Sequence, residues 1–152
     1  MASASRWVRR QKQRTDFPRV KLAFGLALLA FSGCSFGPSA SQKAEAGRIS
    51  HALDVLRQAP NAQKPELFAA LQSAPCETPD LCALKQVCAA GYGLHLRGLG
   101  ETARAKALLA DGGADSAVNQ ALDAAKSALT QAEPQIAKCA DAQGAAQRKY
   151  KL

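Results

Sequence analysis

Residues 115–147 read DSAVNQALDAAKSALTQAEPQIAKCADAQGAAQ, and this stretch decides the fold. Val118, Leu122, Ala125, Leu129, Ala132, Ile136 and Cys139 recur in steps of four and three. That is one stripe of a helix, the seam along which an antiparallel neighbour packs. Pro134 removes a backbone donor and crowds the preceding turn, so a kink or break is expected there. The spacing predicts a helix from about Asp115 to about Gln147.

Working backwards, Asp111-Gly112-Gly113 is a stop signal and Thr78-Pro79-Asp80 a start. Thr suits the N-cap, Pro the first helical position, and Asp the positive helix end. A long helix is predicted between them, presenting Leu84, Val87, Cys88, Gly91, Leu94, Ala105 and Leu108. Gly91, Gly93, Gly98 and Gly100 each cost helix stability, by about 0.5–1 kcal/mol against Ala. They imply either close approach of a packed neighbour or a break near Gly98–Gly100. Two shorter helices precede this pair, over about 42–58 (Ile49, Leu53, Leu56) and about 65–73 (Leu67, Phe68, Leu71), with Pro60 and Pro75 as stops. No segment alternates with the period of a strand. The expected fold is all-α, a small helical bundle dominated by a disulfide-braced antiparallel helical hairpin over 76–152, with the two short helices in 43–75.

The hairpin orders the cysteines. Four of them, Cys76, Cys82, Cys88 and Cys139, lie behind Cys34, and four in a short exported domain read as two disulfides. If both arms rise equally from the turn at 111–116, the numbers of facing residues add to about 227 at the common rise of 1.5 Å per residue. Cys88 and Cys139 meet that condition. Cys82 faces residue 145 instead, roughly 9 Å along the helix from Cys139, beyond the ~7 Å that bridged Cα atoms allow. The expected bonds are Cys88–Cys139 and Cys76–Cys82. The C-x5-C-x5-C spacing fits no common zinc pattern and the Cys-x-x-Cys of redox proteins is absent, so neither a metal site nor a cofactor is expected.

The formal charge of +8 is unevenly placed. Residues 1–33 carry seven basic groups and one acid, whereas residues 34–152 carry thirteen and eleven. The folding part is nearly neutral, and aromatics are 5% of the chain. Phosphate affinity needs clustered cations and single-strand binding needs stacking rings, so nucleic acid is excluded as a partner.

The basic stretch is followed by an uncharged apolar run at 22–31, shorter than the about twenty residues that span a bilayer, and then by small residues. This is the layout of an export signal over 1–33. Leu-Leu-Ala-Phe-Ser-Gly-Cys, ending at Cys34, resembles the lipobox of bacterial lipoproteins; Phe31 departs from the usual aliphatic residue. The resemblance implies acylation of Cys34 as the new N-terminus and a membrane anchor through that lipid. Ser35 implies outer-membrane delivery, with the domain in the periplasm. Residues 34–42, rich in Ser, Gly and Pro, read as the lipidated Cys and a flexible tether.

No catalytic pattern accompanies these features. His51 and His95 have no partner acid or second His at site spacing, save Asp54 one turn from His51, an ordinary surface pair. The glycine pairs lack the preceding strand and the Lys of a phosphate loop. Arg148-Lys149-Tyr150-Lys151 reads as a solvated tail. The expected function is non-enzymatic: a helical binding or scaffolding module for another envelope protein. A periplasmic small-ligand or metal carrier using His95 is one alternative. Ala121-Leu122, Ala128-Leu129 and Pro134 are also similar to the second helix of a tetratricopeptide unit, which would imply an interaction domain, although no 34-residue period is visible.

Overall fold

The computed structural model describes residues 37–152, and four helices account for nearly all of them: α1 (Ala40–Gln58), α2 (Lys64–Ser73), α3 (Pro79–Ala110) and α4 (Asp115–Tyr150). The expected signal segment and Cys34 lie outside the described residues. Among the described residues there is no strand, and no helix is long and apolar enough to cross a membrane.

Local chemistry sets the boundaries. α1 begins inside the segment expected as tether, because Ser39 and Gln42 form a reciprocal capping box: the Ser39 hydroxyl accepts from the Gln42 amide at 3.2 Å and the Gln42 side chain accepts from the Ser39 amide at 2.9 Å. α1 and α2 end without a capping glycine. Instead a lysine from the next element donates to the last carbonyls, Lys64 to Leu56 and Arg57 (3.0 and 3.2 Å) and Lys85 to Gln72 and Ala74 (2.9 and 2.6 Å). The turn between α3 and α4 uses Gly112 at φ +68°, a left-handed conformation that favours glycine.

α3 and α4 form the expected hairpin, of 32 and 36 residues, or about 48 and 54 Å at 1.5 Å per residue. α1 and α2 cover one face of its open end. Glu45 meets Thr78 at the start of α3, and Gln143 of α4 reaches Ser50 and Asp54, so α1 runs with α3 and against α4. Phe68 lies against Gly93, and Lys85 meets the end of α2, so α2 runs against α3. This four-helix head holds the main core: Ala46, Ile49, Leu53 and Leu56 of α1, Leu71 of α2, Leu81, Leu84 and Tyr92 of α3, and Tyr150 of α4, among others. Each buried Leu or Ile contributes about 1.5–3 kcal/mol. Beyond Gly93 the hairpin continues as a two-helix arm with a thin core: Ala105, Val118 and Ala121 cluster with Leu108 against them, and Ala125, Ala128 and Ala132 are buried along the seam.

Three expectations are corrected. Neither Pro134 nor Gly98–Gly100 breaks a helix. Pro134 and Thr130, whose carbonyl loses its partner, are on the exposed side of α4, where water can take the freed acceptor. The seam of α4 shares Val118, Ala125, Ala132 and Cys139 with the expected stripe, but its other members are Ala121 and Ala128; Leu122 and Leu129 are 46% and 37% exposed. Small residues let the helices approach closely, which pushes the bulkier leucines to the flank. Finally, the C-terminal basic segment is no solvated tail: α4 runs to Tyr150, which is 1% exposed. The helix lengths also depart from the tetratricopeptide pattern, since α3 and α4 each fill alone what a 34-residue repeat divides between two helices.

Candidate functional site

Both expected disulfides are present. Cys88–Cys139 has a Cα–Cα distance of 4.7 Å and Cys76–Cys82 one of 5.5 Å. The register that pairs 88 with 139 is kept further along: a Cβ on Gly91 would meet the Ile136 amide at 3.0 Å, and one on Gly98 would meet Leu129 Cγ at 2.6 Å. Gly91 and Gly98 are therefore the close approach that their helix cost implied.

Polar chemistry concentrates where α3 begins and α4 ends. Glu45 is buried, yet its carboxylate accepts three hydrogen bonds: from the Glu77 and Thr78 amides (2.8 and 3.2 Å) and from the Thr78 hydroxyl (2.6 Å). Thr78 occupies the N-cap position, but its hydroxyl serves Glu45, and the Glu45 carboxylate does the capping across the tertiary contact. The Thr78 hydroxyl bond, with the two amide bonds, holds Glu45 below the usual carboxylate range despite its burial. Asp80, two residues further on, accepts from Lys149 at 2.8 Å and from the Tyr150 hydroxyl at 2.9 Å on each oxygen. The Lys149 bond, above all, lowers its pKa, whereas burial raises that of Tyr150. Both carboxylates are thus ionised at neutral pH and fully engaged in structure. They fasten α1 and α4 to the start of α3.

Three surface hollows surround this end. A cleft of about 400 Å³ is lined by Ser39, Gln42, Arg48, Glu77 and Thr78 over Glu45. A second, of about 580 Å³, has Gly37 and Pro38 beside Pro79, Asp80, Lys149 and Tyr150. A shallow apolar groove of about 270 Å³ runs between Ala83, Leu84 and Val87 of α3 and Ala142, Ala145 and Ala146 of α4. The sulfurs of Cys76 and Cys82 and a carboxylate oxygen of Glu45 lie within 4.8 Å of one another, but both sulfurs are bonded in the disulfide and are not thiolate ligands in this state.

The histidines are not brought together. His51 is exposed on α1. His95 is half-buried on α3, its pKa lowered by burial and then by the charge of Lys64. Among the described residues, the one group of three metal-ligating side chains that come together includes neither histidine. Sequence reasoning missed Glu45, Asp80 with Tyr150, Lys64 and Gln143 as the tertiary polar contacts. Only the acidic Asp80 after Thr78-Pro79 gave a signal, and it was legible as a helix start rather than as a partner for Tyr150.

Neither a protein-family model, nor a curated protein, nor a solved structure matches this chain.

Proposed function

We propose that this chain is a lipid-anchored cell-envelope protein whose folded part is a non-enzymatic helical binding or scaffolding module. The anchor is an acylated Cys34, and Ser35 directs the protein to the outer membrane, with the domain facing the periplasm. The observation that carries the reading is the placement of the two ends. Gly37 and Pro38 lie against the start of α3 and the end of α4. The α3–α4 turn, Asp111–Ala114, lies a helix length away, about 48 Å. A membrane-anchored tether thus leaves the braced head, and the bare arm points outward toward a partner. Two internal disulfides suit the oxidising compartment that the export signal implies. Acyl chains contribute about 0.8 kcal/mol per buried CH₂, so several together hold the protein firmly.

Labelling cells with a fatty-acid analogue tests the anchor. The wild-type chain takes up label and partitions with membranes, and Cys34→Ala does neither. Equal labelling of the two overturns it.

A further inference from the structure

We propose that the apolar groove between α3 and α4 is the seat of this chain's own Phe36, which straps the segment ahead of α1 across the open end of the hairpin. The groove lies on the face away from α1 and α2. Lys85 of α3 meets α2 and Gln143 of α4 meets α1. Ala83 and Val87 are each turned by about 200° from Lys85, and Ala145 by about 200° from Gln143; these three, with Ala142, line the groove. Apart from Asp80 and Lys149 at one end, its lining is alanine, valine and leucine. Water finds almost nothing to bond there, so an apolar side chain is the group that gains by entering. The volume, about 270 Å³, is below the ~300–1,000 Å³ of small-molecule sites and suits a single side chain.

Position, reach and composition name the occupant. Gly37 and Pro38 lie in the hollow with Pro79, Asp80, Lys149 and Tyr150. Asp80 and Lys149 also line the groove, so the two hollows meet at this 2.8 Å ion pair. Traced back from α1, the chain leaves the covered face, crosses the open end of the hairpin and arrives at the lip of the groove. Phe36 immediately precedes the described residues. One backbone step of ~3.8 Å and the length of its side chain carry the ring over the ion pair. There it meets the Lys149 ammonium, which already lies 5.3 Å from the centroid of the Tyr150 ring and attracts a second aromatic face. Between Cys34 and α1 stand Ser35, Phe36, Gly37, Pro38 and Ser39, and Phe36 is the one large apolar residue among them. It falls after the cysteine at which the lipobox resemblance ends, and a solvated tether has no use for it. Burying one ring gains about what ordering one or two residues costs, so the strap opens and closes rather than locking. The strap goes beyond the proposed anchor and does not rest on acylation of Cys34. In the acylated chain it leaves only Cys34 and Ser35 between bilayer and head.

Site-specific photo-crosslinking of the full chain tests this. Benzoylphenylalanine replaces Phe36, and the linked peptides are mapped by mass spectrometry after irradiation. Linkage within one chain to residues 83–87 or 142–146 is expected. Ala145→Glu puts a charge in the groove from an exposed position and lowers that yield by about five- to tenfold. Ala140→Glu, exposed on α4 and turned by about 140° from Ala145, leaves it unchanged. Cys34→Ala gives the same linkage, so failure of the anchor and failure of the strap are read separately. No linkage, or linkage only to other parts of the chain, to lipid, to a second copy or to another protein, overturns the strap. So does a yield that Ala145→Glu leaves unchanged, that Ala140→Glu lowers equally, or that vanishes in Cys34→Ala.

Discussion

The Tyr150 hydroxyl donates to both carboxylate oxygens of Asp80 at 2.9 Å, so the last turn of α4 is closed onto the first turn of α3. The ring is buried in the head core while the carboxylate faces solvent on its other side, where Lys149 meets it. Tyr150→Phe keeps the ring's packing and removes only this bond. A hydrogen bond to a charged acceptor contributes about 1.5–3 kcal/mol when buried, and partial exposure of Asp80 reduces that to about 1–2 kcal/mol. Urea unfolding should show an unfolding free energy lowered by that amount, read as a lower midpoint at an unchanged slope. Removal of the last turn altogether, by truncation before Lys149, costs more, because the core loses the ring as well.

Acid should weaken the same end. Glu45 and Asp80 both have folded pKa values below their ordinary ones, Glu45 chiefly through the Thr78 hydroxyl and Asp80 chiefly through Lys149. A carboxylate depressed in the fold contributes stability that is present above its unfolded pKa of about 4 and lost as pH falls through the folded value. Stability followed from pH 6 downward should therefore decline below about pH 4.5. Glu45→Gln is less stable at pH 6 and has a flatter acid limb. An acid limb as steep as wild type in Glu45→Gln would remove Glu45 from this role.

The glycines of α3 separate by what each one touches. A Cβ on Gly91 meets backbone, the Gln135 carbonyl carbon and the Ile136 amide nitrogen, both at 3.0 Å, which cannot move without shifting α4. Gly91→Ala should destabilise by about 1–3 kcal/mol. A Cβ on Gly98 meets chiefly the side chain of Leu129, at 2.6 Å, with the Ala125 carbonyl oxygen at 3.3 Å; a 37% exposed side chain yields more cheaply than backbone at 3.0 Å, so Gly98→Ala costs less. Gly100 has nothing within 4 Å, and Gly100→Ala should stabilise by about 0.5–1 kcal/mol through helix propensity. Thermal unfolding of the three variants should rank them in that order.

The hairpin, its register and both disulfides were legible because they depend on periodicity and equal rise, which the residue numbers carry directly. The seam was half legible. Hydrophobicity favoured Leu122 and Leu129, whereas the close approach recorded at Gly91 and Cys88–Cys139 selects Ala121 and Ala128, and only helix separation distinguishes the two rows. The polar contacts were hidden for a related reason. Glu45 lies 32 residues from Glu77, and Asp80 lies 70 from Tyr150, so no local pattern links them. Pro134 misled because a proline breaks a helix only when its neighbours cannot hold it. Here the packed α3 does so, while the freed carbonyl lies toward water.

The two disulfides should differ in worth. Cys88–Cys139 closes a separation of 51 residues and Cys76–Cys82 one of 6. Loop-closure entropy in the unfolded chain then gives about 4 kcal/mol for the first and about 2 kcal/mol for the second. Denaturant unfolding of Cys88→Ala/Cys139→Ala and Cys76→Ala/Cys82→Ala should show that order, with a more compact unfolded state, hence a smaller slope, wherever the long loop is retained.

Lys64 links the end of α1 to the environment of His95. Its ammonium donates to the Leu56 and Arg57 carbonyls at 3.0 and 3.2 Å, and its charge is the second cause, after burial, of the lowered His95 pKa. Lys64→Met keeps most of the apolar stem and removes the charge. The freed carbonyls cost about 1–2 kcal/mol of stability, since a buried acceptor loses its donor. The His95 pKa rises, because the imidazolium no longer faces a neighbouring cation, but it stays below the ordinary value because burial persists. Imidazole resonances followed by NMR across pH 4–8 would report the His95 change, and urea unfolding the loss of stability. A His95 titration unchanged by Lys64→Met would show that burial alone sets it.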